Sequence, residues 1–145
     1  MNIFEALRED HEIQRTLIDK LVNTSGDNDL RRNMFNKLKR ELSYHADAEE
    51  RHFYVPLIDS DLTQEKARHS IAEHHEMDEL VEKLEETDMD SSAWLVYMKE
   101  LAHKVEHHLD EEEQEVFQMA GKALNEGQKT SLATEYKKEM SESRE

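Results

Sequence analysis

Residues 101–112 read Leu101-Ala102-His103-Lys104-Val105-Glu106-His107-His108-Leu109-Asp110-Glu111-Glu112. Leu101, Val105, His108 and Glu112 recur at spacings of three and four, which is one face of an α-helix. A stripe that begins apolar therefore ends in an imidazole and a carboxylate. Leu95 and Met98 before it, and Val116 and Met119 after it, continue the same face and predict a helix from about Ser92 to Leu124.

Working outward, the same period recurs three times. Phe4, Leu7, His11, Gln14, Ile18 and Leu21 predict a helix from about Ile3 to Val22. Phe35, Leu38, Leu42, His45, Glu49 and His52 predict one from about Asp29 to Val55. Ala67, Ile71, His74, Asp78 or Met77, Val81 and Leu84 predict one from about Thr63 to Thr87. Asn23-Thr24-Ser25-Gly26-Asp27-Asn28, Asp59-Ser60-Asp61 and Asp88-Met89-Asp90-Ser91-Ser92 read as turns, the last with capping residues. Gly127 reads as a stop. Leu132, Tyr136 and Met140 then suggest a short fifth helix with a frayed, polar end. The expected fold is all-α, an up-down-up-down antiparallel four-helix bundle over residues 1–125, with a short C-terminal helix and polar tail over 126–145.

Composition agrees. The 145 residues include one proline and three glycines, so little interrupts long helices, while Glu, Lys, Leu, Ala and Arg all favour them. A formal net charge of −16 argues against nucleic acid and against anionic membrane surfaces, both of which need clustered Lys and Arg. The absence of cysteine removes disulfides, thiolate zinc sites and iron–sulfur clusters. Met1-Asn2-Ile3-Phe4-Glu5-Ala6 lacks a signal-peptide core, and no apolar run spans a bilayer, so the expected location is the cytoplasm.

The decisive feature is where the stripes are broken. His11, His45, Glu49, His74, His108 and Glu112 fall on core-facing positions of four helices. A buried carboxylate without a partner is very costly. A lone core histidine is ordinarily satisfied by a hydrogen-bonding neighbour, and a structural polar network is the bland account. Six such residues in all four helices, twice as His-x-x-x-Glu, favour metal. Residues i and i+4 share a helix face about 6 Å apart along the axis, so such a pair can hold one ion or bridge two. Imidazole with carboxylate suits iron, and also manganese or zinc. The halves also repeat: His45-Ala46-Asp47-Ala48-Glu49-Glu50 aligns with His108-Leu109-Asp110-Glu111-Glu112-Glu113 at its outer positions.

The series His11, His45-x-x-x-Glu49, His74, His108-x-x-x-Glu112 resembles the hemerythrin-like HHE cation-binding domain over roughly residues 1–125. The surrounding Glu9-Asp10-His11, Ala48-Glu49-Glu50-Arg51-His52-Phe53-Tyr54-Val55-Pro56 and Ala72-Glu73-His74-His75 add to the likeness. The resemblance implies two iron ions, terminal histidines from each half of the repeat, bridging Glu49 and Glu112, and an oxo, hydroxo or water bridge. It implies a small diatomic or peroxide ligand. The functions implied are dioxygen binding with oxygen or iron sensing, or handling of oxidative stress. The alternatives are a redox enzyme that decomposes peroxide or oxidises ferrous ions, and a metal-responsive storage or structural module. True hemerythrins carry His-x-x-x-His on the third helix. Here that spacing gives His74-x-x-x-Asp78, one histidine fewer, which moves the expectation from oxygen carrier to a responsive relative.

His52, seven residues after His45, falls on the same face and is expected either as a metal ligand or as a residue holding Glu49 in place. Asp78 is placed to hydrogen-bond a ligand imidazole. His75 and His107 lie about 100° around their helices from His74 and His108, towards solvent. His69 is read as surface, and the pair His103 and His107 as exposed rather than ion-binding. Tyr44, Tyr54 and Trp94 are read as packing or helix-end anchors.

Overall fold

The computed structural model describes residues 1–145, all helix and connecting turns. Helix α1 spans Ile3–Leu21 and α2 Asp29–Glu49. A π-helical turn, Glu50–Tyr54, carries α2 straight into α3, Val55–Ile58. Helix α4 spans Gln64–Glu86. Helix α5, Ser92–Glu111, runs through a second π turn, Glu112–Val116, into α6, Phe117–Ala123. Helix α7 spans Glu126–Arg144. No helix is long and apolar enough to cross a membrane.

Local chemistry explains the helix starts. Asn2 accepts from the Glu5 amide while the Glu5 side chain takes the Asn2 amide, a capping box. Asn28 accepts from Arg31 N and Ser91 from Ala93 N. The turn before α2 needs one residue at positive φ, which Gly26 supplies at 75°. Buried Arg31 ties this end together. It donates to Thr24 and to the Met89 carbonyl, and its guanidinium lies 4.4 Å from the Trp94 ring centre.

The C-terminal segment departs from the sequence expectation. Gly127 is not a stop but lies in the first turn of α7; the break falls at Leu124, and Asn125 caps α7 in a second capping box. The expected polar tail is helical to Arg144, and α7 packs on α1 and α2 through Ala133, Tyr136 and Met140. Arg144 closes the contact by donating to Glu41 and Asp10.

The apolar core is in two parts. One gathers the start of α1 (Ile3, Leu7), the end of the α2–α3 rod (Phe53, Tyr54, Leu57), Ala67, Val116, Phe117 and the inner face of α7. The other gathers the opposite ends: Leu17, Ile18 and Leu21, Phe35 and Leu38, Val81 and Leu84, Trp94, Met98 and Leu101. Between them lies a layer with His11, His45, Glu49, His74, His108 and Glu112, all buried.

Each π turn begins at or just after an inward glutamate, Glu49 or Glu112. A π turn inserts one extra residue and advances the register, and such turns are frequent at functional sites. The register change is visible in what is buried. After Glu49 the inward residues are Phe53, Tyr54 and Leu57; after Glu112 they are Val116, Phe117 and Ala120. Pro56 follows the first π turn but nothing like it follows the second, so the feature common to both is the glutamate.

Candidate metal centre

The six inward residues meet in two overlapping groups. His11, His45, Glu49 and Glu112 form one; Glu49, His74 and His108 form the other. In each, the ligand atoms lie within 4.8 Å of one another, and every member is buried. His45 Nε2 is 3.3 Å and His11 Nε2 3.9 Å from Glu49 Oε2, while His74 Nε2 is 3.1 Å from Glu49 Oε1. Glu49 thus turns one oxygen to each group. Glu112 does the same, with Oε1 3.0 Å from His11 Nε2 and Oε2 3.6 Å from His108 Nε2.

The other nitrogen of each ring is already committed. Nδ1 of His11 donates to Glu113 Oε2 at 2.6 Å and that of His74 to Glu50 Oε2 at 3.3 Å. Nδ1 of His108 donates to Glu73 Oε1 at 2.9 Å, and Nδ1 of His45 to the Tyr136 hydroxyl at 2.6 Å, which in turn donates to Asp10 Oδ2 at 2.5 Å. A proton on Nδ1 leaves the Nε2 lone pair pointing inward. All four Nε2 atoms, both Glu49 oxygens and Glu112 Oε1 are buried with no hydrogen-bond partner. Lone pairs facing carboxylate oxygens at 3–4 Å in a dry interior repel unless a cation lies between them. The residues therefore fit a metal.

Their ionisation reports the same strain. Burial and the Glu49 charge push Glu112 well above the usual carboxylate range. Glu49 goes the other way: burial would raise it, but His45, His11 and His74 hold it well below. His11 is held high against its burial by Glu112, Glu113 and Glu49, and His74 is held up at about 9 against its burial by Glu49 and Glu50. His11, His74 and Glu112 thus favour their protonated forms at the positions where cations would sit, whereas burial pushes His108 down.

The repeat governs these supports. His11 and His74, His45 and His108, and Glu49 and Glu112 are separated by a constant 63 residues. So are Glu50 and Glu113, which hold His74 and His11 across the centre, and Asp10 and Glu73. Glu73 reaches His108 directly, whereas the shorter Asp10 reaches His45 through Tyr136. Tyr54 and Phe117 correspond too. Phe117 stacks on His11 with ring centres 6.0 Å apart, and Tyr54 packs on His74 at 5.9 Å. Only Tyr54 carries a hydroxyl, which donates to Glu112 Oε2.

Several expectations are corrected. His52 does not face the centre; the π turn rotates it outward, and its Nε2 is 2.9 Å from Glu139 on α7. Asp78 is exposed, and Glu50 occupies the His74 Nδ1 position instead. Tyr54 packs, as read, but also reaches the centre. His69, His75, His103 and His107 are exposed. The residues missed are Asp10, Glu50, Glu73, Glu113 and Tyr136. The repeat, extended by one residue beyond the motif, signals the first four; nothing local signals Tyr136.

The family model for the hemerythrin HHE cation-binding domain matches residues 2–120. The fold is similar to the crystal structure of a hemerythrin HHE cation-binding domain-containing protein from Mycobacterium kansasii, with a TM-score of 0.89 and 21% identity, over 99% of this chain and 88% of that one. No curated protein sequence matches significantly. With His and Glu clusters able to hold metal at its core, the chain belongs to the hemerythrin HHE cation-binding domain family.

Proposed function

We propose that the chain is a non-haem di-iron protein of the hemerythrin-like type, an up-down-up-down four-helix bundle that binds dioxygen or a related small ligand in oxygen or iron sensing or oxidative-stress handling. The observation that carries this reading is the pair of buried groups sharing Glu49, in which four Nε2 atoms and three carboxylate oxygens lack partners.

His11 and His45 would hold one ion and His74 and His108 the other, with Glu49 and Glu112 offering an oxygen to each. Two divalent charges would offset both the burial cost and the repulsion from Glu49 that raise Glu112. Iron in such a site supplies electrons and an open coordination position for a small ligand. The chain's own part is to keep the position dry and the donors aimed. Phe117 and Tyr54 pack on His11 and His74, and the Nδ1 partners fix each ring. Asp78 stands where a further histidine is expected and His52 turns to Glu139 instead, which favours a responsive role over reversible carriage.

The test is metal analysis of the purified protein followed by exposure of the ferrous form to oxygen. The expected result is at least two ions per chain and a new near-ultraviolet charge-transfer band. Absence of bound transition metal, or two ions with no spectral response to oxygen, peroxide or nitric oxide, overturns the reading.

A further inference from the structure

The repeat that relates the two halves also relates the surfaces outside them, and there the halves differ. In the first half, Ala6, Asp10, Tyr44 and Ala48 line the face against which α7 packs. Their counterparts, 63 residues on, are His69, Glu73, His107 and Glu111. No helix covers this second face: His69 and His107 are 54% and 64% exposed. Where one half offers two alanines and a tyrosine to a helix, the other offers two imidazoles and a carboxylate to solvent.

These groups converge. His69 Nε2 is 3.4 Å from Glu111 Oε1 and 3.7 Å from Glu73 Oε1, and His107 Nε2 is 3.2 Å from Glu111 Oε2. The ligand atoms of His69, Glu73 and Glu111 all lie within 4.8 Å of one another. Tetrahedral ligands bound at ~2.1 Å stand about 3.4 Å apart, so small adjustments close the group on an ion. Glu111 and Glu73 are largely buried and neither pairs with Lys or Arg; their only partners of that kind are His69, His107 and His108. In a chain of net charge −16, such a pair draws cations.

The group also touches the centre. Glu73 Oε1, which faces His69, is the atom that accepts from His108 Nδ1. One carboxylate oxygen therefore separates the outer group from a residue of the second buried group.

We propose that His69, Glu73, Glu111 and His107 form an outer site for a divalent transition-metal ion, through which the second buried group is loaded. The loading role rests on the di-iron reading above; the outer site does not.

Cobalt(II) alone is the probe, followed by equilibrium dialysis for stoichiometry and by its visible absorption for loading rate. Three proteins are compared: wild type, His69→Ala/His107→Ala, and His11→Ala/His74→Ala. The expectation is three ions in the wild type and two in the surface variant, whose buried sites fill more slowly by about tenfold or more. The buried-site variant is expected to retain the outer ion. Equal stoichiometry, or an equal loading rate, in wild type and surface variant overturns the proposal. One wild-type ion that the surface variant loses supports the outer site and instead sinks the two-ion reading.

Discussion

The Tyr136 hydroxyl lies 2.6 Å from Nδ1 of His45, although 91 residues separate them. Through this contact α7 reaches the inward-facing histidine of α2. The phenol accepts from the imidazole and donates to Asp10, whose other oxygen takes Arg144. Burial and the neighbouring Asp10 charge raise Tyr136 well above the ordinary phenol range, so it stays protonated and keeps donating. His108, by contrast, gives its Nδ1 proton to the carboxylate of Glu73. The two groups therefore differ in how their histidines are held, although their inner residues repeat.

Tyr136→Phe is expected to weaken binding at the His11/His45 group by roughly 10- to 100-fold, because loss of such a supporting partner loosens the ligand. The His74/His108 group should bind as before. Stepwise metal titration against a competing chelator separates the two, and an unchanged first group counts against the role given to Tyr136.

The two glutamates should respond differently to neutralisation. Glu112 is raised by burial and by Glu49, so Glu112→Gln relieves a conflict in the metal-free protein and should change its stability by no more than about 1 kcal/mol. Glu49 faces three histidines, and Glu49→Gln should cost about 3 kcal/mol by stranding them. Both should lose metal. Denaturant unfolding of the metal-free variants checks the contrast.

Stability and metal affinity should move oppositely with pH. His74 sits at about 9 in the folded, metal-free protein against an ordinary value of 6.5. A raised histidine contributes stability that is complete below pH 6.5 and lost as pH rises through about 9. His11, also raised, acts in the same sense. The proton that leaves is the one metal must displace, so affinity climbs across the same window. Thermal melts with and without iron should show the gap between them widening from pH 6.5 to 9; a constant gap would contradict the assignment.

His52→Ala should leave metal stoichiometry unchanged. Its ring meets Glu139 at a part-exposed position, so the cost should be about 1 kcal/mol or less. Loss of a metal ion in this variant would place His52 back among the ligands.

The four long helices and the six inward residues were legible because both depend on short-range periodicity. His108 and Glu112 face the core for the same reason that Leu101 and Val105 do. The Nδ1 partners Glu50, Glu113, Asp10 and Glu73 were within reach of the repeat but look, one at a time, like solvated charge. The outward turn of His52 was not legible. A π turn adds a single residue to a helix, and an apolar pattern such as Phe53-Tyr54 is compatible with either register until neighbouring helices choose one.

The helical class, the constant interval between the halves and the set of side chains that must be buried together can all be read along the chain. Those follow from 3.6-residue periodicity and from the cost of burying charge without a partner. Helix packing sets which nitrogen of each histidine points inward, lays α7 over one half while leaving His69 and His107 open on the other, and brings Tyr136 to support His45. These are contacts between residues distant in the chain, set by how whole helices pack, and no local pattern encodes them.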